Sequence, residues 1–322
     1  TNDERPMTNG VVQVETVAPS SSVLRPSSVE EANRTPRRVP VPALRPALEL
    51  CKPTRVALEM GSRVLVAADR GGVGKVLINR LERRGVTVCE LDPQHDAATL
   101  EAQLHACLAD GAVHGVYWLP ALDIEPALEA MSAEQWHELN RVRAKNLHLV
   151  MHTLLGAGEP PFLVAGTRLG GLHGYGESGA SAPLGGAVTG FTKAYKREQT
   201  GVLVKAVDFE PGRKTAEPAE LLLAETLADP GVVEVGYHNG LRFTVTLEEQ
   251  PLPAENPGLT LDSNSVILVT GAAGGITSAI VADLATASGA NFYLLDLTPE
   301  PSASDPNIAL FRSDREALKR KL

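Results

Sequence analysis

The stretch Ser265-Val266-Ile267-Leu268-Val269-Thr270-Gly271-Ala272-Ala273-Gly274-Gly275-Ile276-Thr277 decides how this chain is read. Ser265–Val269 is a short apolar run of the kind a buried parallel strand needs, and it leads into a glycine turn. Ser278–Ser288 then sets Ile280, Val281, Leu284 and Ala285 at helical spacing, and Gly289 ends the helix. Asn291-Phe292-Tyr293-Leu294-Leu295 is a second apolar strand that closes on Asp296 and Leu297. Strand, glycine turn, helix, strand and carboxylate, in that order, carry the physics of a dinucleotide site. Glycines let the backbone approach a pyrophosphate, and the free N–H groups at the helix start face its charge. The acid can accept from ribose hydroxyls. Thr270, Gly271, Ala272, Gly274, Gly275, Ile276, Asp296 and Leu297 are the candidate cofactor-binding residues. A glycine-rich strand–helix loop with no ligand is the plainer alternative.

Outward from this stretch, the same alternation recurs upstream. Arg63–Ala68, Val86–Leu91, Gly115–Leu119, Pro161–Thr167 and Val202–Phe209 read as strands. Between and after them, Val73–Arg84, Ala97–Ala109, Ala133–Leu155, Gly185–Glu198 and Pro218–Ala228 read as helices. The long one carries Leu139, Val142, Leu147, Val150 and Leu154 on its buried side, and Trp118 and Trp136 are expected in the core. Such alternation predicts an α/β fold with doubly wound parallel sheets. Glu234–Val245 holds Asn239-Gly240 between strand-like arms, a hairpin signal. The domain reading is a Pro-rich disordered linker over 1–55, a first complete unit over 56–250, a linker over 251–264, and the start of a second unit over 265–322. The chain begins at Thr1 and stops at Leu322 in a charged segment, so it reads as a piece of something longer.

Composition narrows the function. The 322 residues carry a formal charge of −9, which disfavours nucleic-acid binding through a basic surface. No apolar run approaches the roughly 18–20 residues of a membrane span, and no signal peptide is visible. Cys51, Cys89 and Cys107 form no ligand-spaced cluster, which suits a reducing cytoplasm better than a disulfide framework.

Thr270-Gly271-(x3)-Gly275-Ile276-Thr277 resembles the Thr-Gly-x-x-x-Gly-Ile-Gly turn of short-chain dehydrogenases/reductases, its last glycine replaced. More narrowly, it is similar to the turn of ketoreductase domains in iterative type I polyketide and polyunsaturated-fatty-acid synthases. Two nucleotide-fold units in tandem with a Val-Gly-Tyr-x-x-Gly-x-Arg hairpin between them extend the resemblance over roughly Arg63–Leu322. It implies a cofactor-free structural half followed by a catalytic half. The catalytic half would use NADPH or NADH to reduce a 3-oxoacyl chain carried on an acyl carrier protein, among other synthase domains. A homodimer of the full-length protein is compatible with it. Asp296 departs from the NADPH habit of the family, because a carboxylate there favours a free ribose 2′-hydroxyl. Arg312 and Arg315 lie too far along to assign.

The resemblance places the catalytic Ser, Tyr and Lys beyond Leu322, so no catalytic residue is assigned within the chain. In the first unit the turn reads Ala67-Ala68-Asp69-Arg70-Gly71-Gly72-Val73-Gly74, with Ala67 and Ala68 in place of Thr and Gly. A P-loop reading of Gly71–Lys75 fails, because Asp69 sits where the first glycine belongs and Val76 replaces the Mg²⁺-binding hydroxyl. Counting back from Gly190-Phe191-Thr192-Lys193, the Tyr position falls on Ser181 and the Lys position on Gly185, while Thr167 stands for the Ser. Tyr175 lies in a glycine-rich loop, and Lys145 reads as a solvated helix lysine. His148 and His152, at i,i+4, lack a third metal ligand. The first unit is therefore expected to be catalytically silent. Two other functions stay open: a tandem reductase or epimerase acting on a free small molecule, and a non-catalytic scaffold.

Overall fold

Seven residues expected to lie in a disordered linker form a strand instead. The computed structural model describes residues 37–250, 260–298, 302 and 304–321. Within it, Arg38–Leu44 (β1) pairs antiparallel with Leu241–Glu249, from Arg38↔Glu249 to Leu44↔Phe243. Prolines argue against strand only where an N–H is needed. Arg45 N donates to Arg242 O, so by the two-residue alternation Val39, Val41 and Ala43 face the partner strand. Pro40 and Pro42 then fall on the outer edge, where their missing N–H groups cost nothing. Leu48–Leu50 adds a short 3₁₀ turn. The linker expectation for 1–36 and 251–259 lies outside the described residues.

From Arg63 the alternation holds in chain order: β2 (Arg63–Ala67), α1 (Val73–Arg83), β3 (Thr87–Leu91), α2 (Ala97–Ala109), β4 (Gly115–Trp118), α3 (Ala133–Asn140), α4 (Asn146–Ala157), β5 (Phe162–Thr167), α5 (Gly185–Glu198), β6 (Val204–Phe209), α6 (Ala216–Leu227), β7 (Glu234–His238) and β8 (Leu241–Glu249). One eight-stranded sheet results, ordered β1-β8-β7-β6-β5-β4-β2-β3, with β2 to β7 parallel. Side chains alternate between its faces. Leu65, Val116, Trp118 and Leu163 pack with Leu100, Leu104, Leu147, Val150 and Val188 from α2, α4 and α5. Val64, Val66, Tyr117, Val164 and Val207 pack with Leu77, Leu81, Leu222 and Leu223 from α1 and α6 on the other. The strand order reverses between β3 and β4 around β2, which puts a crevice at the carboxyl ends of β2 and β4. Asn239 and Gly240, at φ 50° and 73°, close the β7–β8 hairpin with both central residues left-handed.

Two expectations are corrected here. The helix expected over Ala133–Leu155 contains a π-turn, Arg141–Lys145, that separates α3 from α4. The step of five from Val142 to Leu147 is the spacing that a π-turn brings onto one face, and both side chains are buried. Trp136, expected in the core, is 44% exposed on α3, a helix with no buried residue. Cys89 of β3 and Cys107 of α2, expected as free thiols, form a disulfide. Their separation of 18 residues gave no signal, and only the packing of α2 beside β3 brings them together.

The chain forms two compact units, of which the larger spans Arg38–Gln250. In the smaller, β9 (Val266–Thr270), α7 (Gly275–Ser288) and β10 (Asn291–Leu295) make a βαβ unit, with the strands parallel from Val266↔Asn291 to Thr270↔Leu295. α8 (Pro306–Ser313) and α9 (Arg315–Lys321) follow. The buried strand expected at Ser265–Val269 is instead exposed along one face, where Val266 and Leu268 each stand 66% open beside Tyr293 and Leu295. A sheet of two strands has too little neighbouring structure to bury both faces. No helix among the described residues is long and apolar enough to cross a membrane.

Candidate functional site

The two strand–turn–helix corners of the molecule hold their helix starts differently. At the smaller unit's corner, Thr270 ends β9 and Gly271 takes φ +66°, a conformation that only glycine adopts freely. Gly274 precedes α7 with no side-chain cap, and a Cβ at Gly275 would meet nothing within 4 Å. The first N–H groups of α7 are thus held by no side chain. Asp296, following β10, accepts from Ala273 N at 2.8 Å and Thr298 N at 2.7 Å. The Thr298 bonds, then that of Ala273, hold its carboxyl below the usual range, so it is an anion at neutral pH. Ala272 N reaches Leu295 O at 3.3 Å, which ties the turn to the end of β10. Thr270, Gly271, Ala272, Gly274, Gly275, Asp296 and Leu297 therefore meet at one corner, with Ile276 exposed on the first turn of α7.

At the larger unit's corner the same place is filled from within. Asp69, 8% exposed, turns its carboxylate onto the start of α1 and accepts from Gly74 N at 2.7 Å and Val73 N at 3.2 Å. These are the donors that a pyrophosphate would need. Gly74 still serves close packing, since a Cβ there would stand 2.6 Å from Ala68 Cβ. Across the crevice Asp123 accepts from Arg70 N at 2.8 Å, and its carboxyl is pushed upward by burial and by the charge of Asp69. Asp92, just after β3, matches Asp296 in position and caps its own turn through Gln94 N at 2.9 Å. The sequence reading missed the roles of Asp69 and Asp92. An acid four and five residues before the first helical N–H groups was the available signal.

The positions of the larger unit that the resemblance equates with catalytic ones are also internally satisfied. Thr167 Oγ1 donates to Asp208 at 2.8 Å, and both are fully buried. Ser181 Oγ donates to Arg168 O at 2.7 Å, and Gly185 opens α5 without a side chain. Arg143, brought inward by the π-turn and 1% exposed, donates to Glu125 at 2.5 Å and to Asp123 O at 2.9 Å. Burial holds the Glu125 carboxyl above its ordinary value despite Arg143. Tyr117, Tyr195 and Tyr237 spend their hydroxyls on Thr226, Pro161 O and Glu225. Burial pushes the Tyr195 phenol up to about 12. Tyr175 and Lys145 face solvent. His148 and His152 stack at 5.8 Å, and the described residues hold no cluster of three or more metal-ligating side chains.

No family model and no curated protein matches the chain. Solved structures share its fold. The structure of the adenylation, ketoreductase and pseudo-Asub domains of a keto acid-selecting NRPS module matches with a TM-score of 0.62 at 15% identity, over 87% of this chain and 24% of that one. An N-terminal ketoreductase from the macrolactin assembly line gives 0.56 at 12% identity, over 88% and 56%. A-type ketoreductases from a modular polyketide synthase give 0.50 at 20%, over 88% and 57%. The chain thus spans about a quarter of the first and somewhat over half of the other two. The chain shares its fold with the ketoreductase domains of these structures.

Proposed function

We propose that this chain belongs to a ketoreductase of a multienzyme acyl-chain synthase, which reduces a carrier-bound 3-oxoacyl thioester to the 3-hydroxyacyl form. The observation that carries the reading is the contrast between the two corners. The start of α7 is open, whereas the start of α1 is sealed by Asp69. The smaller unit is then the cofactor half and the larger one its support. A nicotinamide cofactor, when bound, supplies the hydride. The turn Gly271–Gly275 fits a pyrophosphate, because its backbone is uncovered and α7 presents free N–H groups. Asp296 retains lone pairs beyond those used by Ala273 and Thr298, and these suit the hydroxyls of an adenosine ribose. Its negative charge opposes a 2′-phosphate, so NADH is the better fit. No catalytic Ser, Tyr or Lys is assigned within the chain.

The experiment is a reductase assay on the full-length protein with a 3-oxoacyl thioester, reading loss of the reduced nicotinamide and formation of the 3-hydroxyacyl product. Turnover by the full-length protein, with none from residues 1–322 alone, is the expected result. Equal turnover by the 322-residue chain would overturn the assignment of a silent first unit.

A further inference from the structure

Arg63 meets Cys107 beside the Cys89–Cys107 disulfide of the larger unit. Cys107 lies on α2, 4% exposed, within the apolar cluster that holds Leu104 and Val113. The half-buried Arg63 guanidinium, at the start of β2, donates from Nη2 to Cys107 O at 2.7 Å and approaches Cys107 Sγ at 3.7 Å. Its buried Nε has no hydrogen-bond partner, and no carboxylate pairs with it among the described residues. A disulfide sulfur is neutral and leaves that charge unanswered. A thiolate at Cys107 supplies the counter-charge the place lacks, and a neighbouring guanidinium stabilises a thiolate.

The two sulfurs also differ in access. Cys89 stands on β3, an edge strand with β2 as its one neighbour, and is only half-buried. A small thiolate therefore meets Cys89 first, and the sulfur it expels is that of Cys107, next to Arg63. Exchange is faster when the departing thiolate is the more stable. The Cα atoms of the pair lie 6.2 Å apart, a span that a disulfide bridges without backbone movement, so the bond can re-form in the folded chain.

We propose that Cys89–Cys107 is a reversible exchange site for a small thiol of the glutathione class, with Cys107 as the leaving group and Arg63 holding its thiolate. In the first step the incoming sulfur bonds to Cys89 Sγ, the Cys89–Cys107 bond breaks, and its electron pair leaves on Cys107. A second small thiolate attacks the small-molecule sulfur of the mixed disulfide and releases Cys89, which takes up a proton. The pair has then gained two electrons, and two small thiols have become one disulfide. Of their two protons, one is on Cys89 and the other in solvent. The oxidised reagent runs the sequence backwards. Opening the bond unties α2 from the sheet edge. The site is independent of the chemistry proposed for the smaller unit.

The test equilibrates the folded chain with reduced and oxidised glutathione at graded ratios and traps thiols by acid quenching and alkylation. Mass spectrometry then counts labels on Cys89 and Cys107 apart from Cys51. Both directions of the exchange run in the native protein. Arg63→Gln slows reduction about tenfold and shifts the equilibrium about tenfold toward the disulfide. Arg63→Lys, which keeps the charge, restores most of both. A disulfide that opens only in denaturant overturns the proposal, as does a pair that stays reduced in oxidised glutathione. Equal rates and equilibria in Arg63→Gln and the parent chain overturn it too. The first two outcomes are read on the unaltered chain, so a variant that fails to fold leaves the test standing.

Discussion

Asp69 is the side chain on which the proposed division between the two halves turns. Its carboxylate accepts from Val73 N and Gly74 N, as a phosphate at the start of α1 would. Asp69→Ala removes this cap and strands two buried donors, at a cost of about 1–2 kcal/mol. A thermal melt should show that loss as a fall of a few degrees; an unchanged midpoint would mean that the cap is idle. Glu125 is a second such residue. With Arg143 it forms an ion pair whose members are 0% and 1% exposed in their side chains. Glu125→Ala leaves a buried guanidinium without its counter-charge and should cost about 3–5 kcal/mol. Replacing both by apolar residues should recover much of it, a comparison that chemical denaturation can read. At the other corner, Asp296→Ser should shift relative affinity toward NADPH on the order of tenfold, or about 1.4 kcal/mol, by removing the charge opposite a 2′-phosphate. Titrating the full-length protein with both cofactors measures this, and a ratio left unmoved contradicts the role given to Asp296.

Among the elements, β1 shows how one sequence signal has two physical meanings. Pro40 and Pro42 discourage helix and central strand, so Arg38–Leu44 looked like linker. On a sheet edge the same prolines remove the outward donors through which another chain could pair. Pro40→Val with Pro42→Val should leave the fold intact and promote self-association, visible as concentration-dependent sedimentation. A variant that stays monomeric would deny β1 this protective role. The segment after β1 is held by charge as well as by strand pairing. Arg45 and Arg242 both meet Asp229 at 2.7–2.8 Å, and Arg242 also meets Glu225. Burial acts against ionisation of Asp229, but the hydrogen bonds from Arg45 and Arg242 prevail and its carboxyl sits below the ordinary value. Its contribution to stability is therefore complete above the unfolded value near 3.9 and is lost as pH falls through the lower folded one. Asp229→Asn should flatten that part of the acid-unfolding curve, and an identical curve would show the carboxylate to be uncoupled from folding.

For the molecule as a whole, the α/β alternation was legible because parallel strands buried on both faces read as unbroken apolar runs, as in Val64–Ala67 and Leu163–Ala165. The glycine turn at Gly271 was legible because its backbone demands that residue. Contacts made between elements were not. Cys89 and Cys107, Arg143 and Glu125, and His173 and Val235 meet only through packing, and no local spacing marks them. The exposure of Val266 and Leu268 was also hidden, since an apolar strand reads the same whether or not its neighbours are present.

The measurement that bears most directly on the division between a supporting and a cofactor-binding unit is a paired titration of the full-length protein with reduced nicotinamide dinucleotide. Gly271→Val, at a φ of +66°, should abolish or greatly weaken binding. Gly72→Val, at +93°, should lower the melting temperature but leave the affinity of the folded protein as it was. Equal losses, or a larger one from Gly72→Val, would contradict the account.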